Sequence, residues 1–446
     1  MIRILSFLLL LAIAAPPAGA QTSENSAVQT ARTILAELAA HKFAQVEARA
    51  DDQIRAALPA EKLGAVWASL EAQVGKFQEI RGVVVAHPGP TVVTLVCHFE
   101  RADLDAILSF NGAGQLAGLY FRPSQSAAVW EAPAYAKPDS FAEMPMTVTT
   151  GRWQLPGTLT LPKGKGPFPA VVLVHGSGPN DADETVGANK PFKDLAWGLA
   201  TRGVAVLRYE KRTHKYGLDS SANPASLTVN DETVDDARSA VRLLAANPAI
   251  DPRAIFVLGH SLGAVLAPRI AMGDRAIAGI ILMAGAITPI ERLALDQVRT
   301  IAEREHAPEA LASQQIAAVE AGVREIESPD LKPGATVTFL GSKTPASYWL
   351  DLRNYHPDRV AAALHIPILI LQGGRDYQVP PSELDLWKKA LAGHGNVTFE
   401  LYPALNHLFI AGSGPSQPAE YLKPGHVDEP VVEEIASWVG AQAGRK

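Results

Sequence analysis

The segment IFVLGHSLGA, residues 255–264, runs four apolar residues into Gly259-His260-Ser261-Leu262-Gly263 and on into LGAVLAPRIAMG, which has helical spacing. A serine in a solvent loop needs no such neighbours. A serine forced onto a tight turn between a buried strand and a helix does. Glycines two residues before and after it remove the Cβ atoms that would collide with strand and helix. The five-residue pattern by itself arises in ordinary turns. Its placement between strand and helix makes Ser261 the candidate nucleophile.

A serine hydroxyl is a poor nucleophile near neutral pH, so it needs a base, and the base needs an orienting carboxylate. IPILILQGGRDYQVP (366–380) is a strand followed by a turn that carries Asp376, and NVTFELYPALNHLF (396–409) is the next strand followed by a loop that carries His407. Catalytic groups of open α/β sheets gather beyond the carboxyl ends of the strands. Asp376 also suits a plain turn former after Gly373-Gly374. His407 competes with His426, which lies farther beyond the last strand, while His260 is expected to point away from the serine's partner. An oxyanion formed at a carbonyl would need backbone N–H donors. Leu262, directly after the serine, and Ser177, in HGSGPND (175–181) after the strand AVVLV, are the candidates.

Around these motifs the chain reads as two regions. PAVVLVHG, VAVLRYE, AIFVLGHS, AIAGIILMAG, IPILILQGG and NVTFELYP are short β-branched runs separated by helix-like segments, which indicates a mostly parallel sheet covered on both faces. Residues 144–446 form this α/β region. The rhythm breaks at 288–363, a stretch with long helical segments; an insertion of that length between core strands is expected to be a cap over the site, with Tyr348 and Trp349 as lining or packing residues. Before it, residues 24–122 read as a small α+β domain. Leu63, Val66, Trp67, Leu70 and Val74 make one helical face, and strand runs follow, with hairpin chemistry at Asn111–Gly114. Residues 123–143, with Pro123, Pro133 and Pro138, read as a stiff linker.

Residues 1–20 have the layout of a signal peptide cleaved after Ala20: Arg3, an apolar core from Ile4 to Ala15, Pro16-Pro17 and small residues before the cut. The apolar core is shorter than the roughly 20 residues that span a bilayer. The expected location is therefore periplasmic or secreted, with no stable membrane span once the signal is removed. The chain is 446 residues long, 47% hydrophobic, with a formal net charge of −6, and carries no long basic run, so nucleic acid is not an expected partner. The single cysteine, Cys97, cannot form an intramolecular disulfide and reads as a buried packing residue. The cluster LRYEKRTHKYG (207–217) reads as a solvated loop, with substrate-carboxylate recognition by Arg208, Lys211 or Arg212 as the alternative. No H-E-x-x-H, zinc-cysteine or Walker pattern occurs. Chemistry without cofactor or metal is the expectation.

HGSGPND, NKPFKDLAWGLATRGVAVLRYEKR, GHSLG, ILQGGRDYQVP and NHLF resemble the α/β-hydrolase superfamily, and more narrowly bacterial secreted hydrolases with a small N-terminal domain of unassigned function. The resemblance implies an α/β-hydrolase fold with a helical cap, preceded by the small α+β domain. It also implies a Ser261–Asp376–His407 triad in the chain order usual for that fold, with oxyanion donors at Ser177 and Leu262. The expected activity is hydrolysis of a carboxylic ester, small or polymer-borne, through an acyl-enzyme. A peptidase of the same fold would need acids in the cap to hold an amine, and Glu303, Glu305, Glu320, Glu325 and Glu327 are available. A thioesterase is a further alternative. A non-catalytic binding protein with a vestigial hydrolase domain is the reading from another class. The partner of the N-terminal domain is open.

Overall fold

Two strand grammars, one antiparallel and one parallel, fold into two separate units, with the division between Val129 and Trp130. The computed structural model describes residues 20–86, 91–124, 130–221, 223–304, 309–340 and 342–444. Apart from Ala20, the expected signal peptide lies outside the described residues.

The first unit opens with helices α1 (Ala20–Ala39), α2 (Phe43–Arg49), α3 (Asp52–Ala57) and α4 (Ala60–Val74). An antiparallel meander follows, made of β1 (Phe77–Ala86), β2 (Thr91–Phe99), β3 (Asp103–Phe110) and β4 (Leu116–Pro123). Leu63, Trp67, Leu70 and Val74 of α4 pack with Ile34, Leu35 and Leu38 of α1 against alternate residues of the sheet, among them Leu95, Phe99, Leu104 and Leu108. The β3–β4 hairpin turns where Asn111 Oδ1 accepts the N–H groups of Ala113 and Gln115, and Gly114 takes φ +74°. Cys97 is fully buried, and burial pushes its thiol up to about 12, leaving it a packing residue.

In the second unit, an antiparallel pair, β5 (Phe141–Thr150) and β6 (Trp153–Pro162), precedes an alternation of strands and helices. The order is β7 (Phe168–Val174), α5 (Pro191–Thr201), β8 (Ala205–Tyr209), α6 (Arg212–Tyr216), α7 (Asp235–Ala245), β9 (Ile250–His260), α8 (Leu262–Ala271) and β10 (Ile277–Met283). The insertion comes next: α9 (Ile290–Arg304), α10 (Glu309–Glu327), the hairpin β11 (Thr336–Phe339) and β12 (Ser342–Pro345), α11 (Ala346–Arg353) and α12 (Pro357–Ala362). The chain re-enters the sheet with β13 (Ile368–Gly373), α13 (Ser382–Ala390) and β14 (Val397–Tyr402), and ends in α14 (Glu429–Ala443).

The eight strands lie in the order β14-β13-β10-β9-β7-β8-β6-β5, parallel from β14 through β8. Successive residues of a strand point to opposite faces, so each parallel strand feeds two cores. Val172, Val174, Leu207 and Val257 meet α7, α8 and α13 on one side; Val171, Leu173, Phe256 and Leu258 meet α5 and α14 on the other. The insertion has its own core, in which Trp349 stacks edge-on with Phe339 at 5.1 Å. Trp349 is thus packing in the cap. The segment expected as a linker is shorter than it looked. Pro123 still belongs to β4 and β5 already starts at Phe141, while Trp130 packs on Trp197 and donates to Asp194, and Tyr135 donates to the Val427 carbonyl. Proline marks the absence of regular structure there, not the absence of packing.

At the β9–α8 turn the glycines are obligatory on contact grounds. A Cβ on Gly259 would lie 2.1 Å from the Gly263 carbonyl oxygen, and one on Gly263 would lie 2.1 Å from the Val174 oxygen. Both obstacles are backbone. Gly259→Ala should therefore destabilise the second unit by about 1–3 kcal/mol or more, read as a lowered midpoint in urea; an unchanged midpoint would show that the turn can open without cost.

Candidate active site

Ser261 sits at the junction of β9 and α8 with φ +53° and ψ −118°. Its N–H is tied to the Met283 carbonyl at 2.9 Å, and its own carbonyl accepts from Ala264 and Val265, the first turn of α8. The side chain is only half-buried. The loop after β7 lies against it: a Cβ on Gly176 would be 3.1 Å from Ser261 Cβ. The amides of Ser177 in that loop and of Leu262 at the start of α8 donate to no described residue. Two amides with no acceptor among the described residues thus lie in the segments that adjoin one half-exposed serine.

Asp376 fills both roles that its position allows. Oδ1 accepts the N–H groups of Gln378 and Val379, at 2.8 and 2.9 Å, which shapes the turn after β13. Oδ2 faces Nδ1 of His407 at 2.7 Å. Both side chains are buried. His407 is held by a second turn: Asn406 Oδ1 accepts from the Leu408 and Ile410 amides, and Phe409 takes φ +58°. With its proton on Nδ1, the imidazole keeps a lone pair on Nε2. Ser261 Oγ and His407 Nε2 form no hydrogen bond to each other here.

His260 corrects the sequence expectation. It does not turn away: its ring centre is 4.7 Å from that of His407, and Nε2 bonds the His407 carbonyl oxygen at 2.9 Å. The reason is a buried carboxylate absent from any motif. Glu184, at φ +50°, lies with Oε2 2.9 Å from His260 Nδ1, out of line for a hydrogen bond, while Oε1 accepts the Gly176 N–H at 2.6 Å. Burial opposes both charges. The facing carboxylate nevertheless holds His260 above the usual histidine value, and the imidazolium holds Glu184 below the usual carboxylate range. His175, in contrast, is brought down to about 4 by burial, against the pull of Glu184.

The basic cluster is not a solvated loop either. Arg208, Lys211 and Arg212 are 4%, 2% and 3% exposed. Arg208 pairs with Glu143 and Asp183, and Arg212 forms a two-bond fork to Asp236. Lys211 Nζ donates to the Gly176 carbonyl at 2.8 Å and lies 3.5 Å from Glu232. Cations almost never bury unless paired, and these partners lie on distant elements that local reading cannot supply. With their charges so engaged, none is left for a substrate carboxylate.

Other expected residues fall outside the cluster. His426 pairs with Asp194 at 3.1 Å, beside α5. Of the cap acids, Glu320 pairs with Arg299 and Glu327 with Arg292 on solvent-facing sides, Glu303 and Glu325 are exposed, and Glu305 is outside the described residues. The cap rests on the site loops: Gln297 of α9 donates to the Gln378 carbonyl, and Tyr348 of α11 donates to Glu232 at 2.9 Å. A cavity of about 340 Å³ lies between α9 and the Asp376 turn, with Leu293, Thr300, Arg375 and Pro380 in its walls. Neither Ser261 nor His407 lines it. Among the described residues there is no group of three side chains placed to hold a metal ion, and no helix long and apolar enough to cross a membrane.

Glu184→Gln isolates the second histidine pair. A raised His260 contributes stability that is complete below its ordinary value of about 6.5 and is lost as pH climbs through the folded value. A lowered Glu184 contributes stability that is complete above about 4.3 and is lost as pH falls through the folded value. The variant should therefore be less stable by roughly 3–5 kcal/mol, most so between about pH 4.5 and 6.5. Urea titrations across pH check this; a deficit independent of pH would contradict the pairing.

Comparison with known proteins gives this geometry its context. Residues 31–119 match a family described as a protein of unknown function, DUF3887, and residues 171–423 match the alpha/beta hydrolase family. The chain is 39% identical to Esterase EstD of Thermotoga maritima over 412 residues, 92% of this chain and 95% of that one. Among solved structures, Est1E from Butyrivibrio proteoclasticus is 16% identical, with 68% of this chain and 99% of that one covered and a TM-score of 0.45. The hyperthermophilic esterase of the archaeon Pyrobaculum calidifontis is 17% identical, with 68% and 86% covered and a TM-score of 0.43. With its sheet order, its serine turn and a family match over residues 171–423, the chain belongs to the alpha/beta hydrolase family.

Proposed function

We propose that this protein is a serine hydrolase of carboxylic esters, exported to the periplasm or beyond, with Ser261, His407 and Asp376 as its catalytic triad. The observation that carries the reading is the 2.7 Å contact of His407 Nδ1 with Asp376 Oδ2, made by the loops after two neighbouring strands. The turn that holds His260, and with it Ser261, touches that same histidine loop. The near-full-length relative named an esterase favours an ester over a peptide bond.

In this mechanism Ser261 Oγ attacks the ester carbonyl while His407 Nε2 takes its proton. That contact must come within about 2.6–3.2 Å, and such contacts tighten in the substrate complex. Asp376 keeps the imidazole in the tautomer with its proton on Nδ1 and stabilises the imidazolium. The carbonyl oxygen becomes an oxyanion, received by the Ser177 and Leu262 N–H groups, the latter at a helix N-terminus. The imidazolium then protonates the departing alcohol. Water, deprotonated by the same histidine, releases the acid and restores the serine. Every proton in the cycle passes through Nε2.

Three side chains that act as one unit fail together. Ser261→Ala should lower kcat on short-chain p-nitrophenyl esters by roughly 10⁴–10⁶-fold with the fold intact by circular dichroism. Asp376→Asn, which offers the imidazole the wrong tautomer, should cost about 10⁴-fold. Ester hydrolysis that survives in Ser261→Ala would remove the serine from the mechanism. For export, the mature protein recovered from the periplasm or medium should begin at Gln21; recovery of an uncleaved chain from the cytoplasm would refute that part.

A further inference from the structure

The Gly176 carbonyl and the Ser177 N–H belong to one planar peptide unit and point in opposite directions. Whatever holds the carbonyl therefore aims the N–H. The carbonyl is held by Lys211 Nζ at 2.8 Å, a side chain 2% exposed, with Asn180 Nδ2 as a weaker second donor at 3.2 Å. On the far side, Lys211 lies 3.5 Å from Oε1 of Glu232, which also accepts from Thr213. Glu232 is buried and stands in a single π-helical turn, Asn230–Val234, immediately before α7. Such a turn sets its side chains off the helical spacing of the α-helix that follows, and turns of this kind are frequent at functional sites. The other oxygen of Glu232, Oε2, accepts the hydroxyl of Tyr348 at 2.9 Å. Tyr348 belongs to α11 of the cap, and its neighbour Ser347 donates to the Leu227 carbonyl at 2.8 Å, just ahead of the π turn.

We infer that Tyr348, Glu232 and Lys211 are positioning residues that couple seating of the cap to the aim of the Ser177 N–H. The inference rests on the proposed role of that amide as an oxyanion donor. With Tyr348 seated, Glu232 is fixed and holds the Lys211 ammonium on the Gly176 carbonyl. When the cap lifts, Glu232 loses one of its donors, Lys211 is less constrained, and the peptide is free to rotate its N–H out of line. The ammonium also draws electron density to the carbonyl, which makes the opposite N–H a stronger donor. The cap then does more than cover substrate: it completes the donor pair.

The test removes one oxygen atom. Tyr348→Phe keeps the ring and its packing but loses the hydroxyl; Glu232→Gln keeps size and an acceptor but loses the charge. With a p-nitrophenyl ester, each should lower kcat about tenfold, a fraction of the roughly 10²–10³-fold cost of losing an oxyanion donor outright. KM should stay within about twofold, since a donor that matters only in the transition state leaves ground-state binding unchanged. Affinity for a trifluoromethyl ketone, whose adduct carries the oxyanion, should fall by the same factor as kcat. The double variant should fall no further than Glu232→Gln alone, because the two act through one path. A kcat equal to wild type in Tyr348→Phe, a change confined to KM, or full additivity would overturn the inference while leaving the triad standing. Wild-type hydrolysis that does not depend on Ser261 would overturn both readings together.

Discussion

A serine held at φ +53° between a buried strand and a helix is the constraint on which the rest of the second unit depends. That backbone conformation costs a non-glycine residue on the order of 1–3 kcal/mol, and it persists only where the surroundings over-determine it. Here they do. Gly259 and Gly263 let the turn close to distances no side chain would allow, and the Ser261 N–H is tied to the end of β10. The helix that follows leaves its first amide unsatisfied at the point where the hydroxyl emerges. Strain, a half-exposed hydroxyl and a donor with no acceptor among the described residues are one local arrangement seen from three sides.

Near that turn two buried charges meet on the Gly176 backbone. Glu184 takes its N–H and Lys211 its carbonyl. Buried ion pairs are weak contributors to net stability, since desolvation offsets most of the attraction. Their value lies in direction. The two peptide units that flank Gly176 are each restrained by a charged group, the one before it through its N–H and the one after it through its carbonyl, and Glu184 reaches on through His260 to the His407 carbonyl. The loop that offers the Ser177 amide and the loop that offers the imidazole are therefore set by a shared carboxylate, in addition to the sheet that carries both.

The parts of this site legible in the sequence were those whose chemistry is written locally. GHSLG carries its own steric argument, and Asp376 and His407 follow recognisable strand endings. The two readings of Asp376, turn former and histidine partner, turned out to be one residue using one oxygen for each. What could not be read were pairs between distant segments. Glu184 sits in an irregular stretch with no pattern around it, and Lys211 and Arg212 look like solvent residues until Glu232 and Asp236 are brought against them. A signal did exist: Arg208 lies within a fully buried apolar strand, β8, and Lys211 and Arg212 follow just beyond its end. His260 was misread for the same reason, because only Glu184 explains why it faces inward.

The proposed mechanism requires the oxyanion donors and the imidazole to converge on Ser261 Oγ. The most direct measurement is a crystal structure of the protein after reaction with a p-nitrophenyl alkylphosphonate. Phosphorus should be bonded to Ser261 Oγ, with the phosphoryl oxygen about 2.7–3.1 Å from the Ser177 and Leu262 nitrogens and His407 Nε2 in hydrogen-bond contact with an oxygen on phosphorus. Phosphorus on another residue, or a phosphoryl oxygen turned away from both amides, would contradict that mechanism.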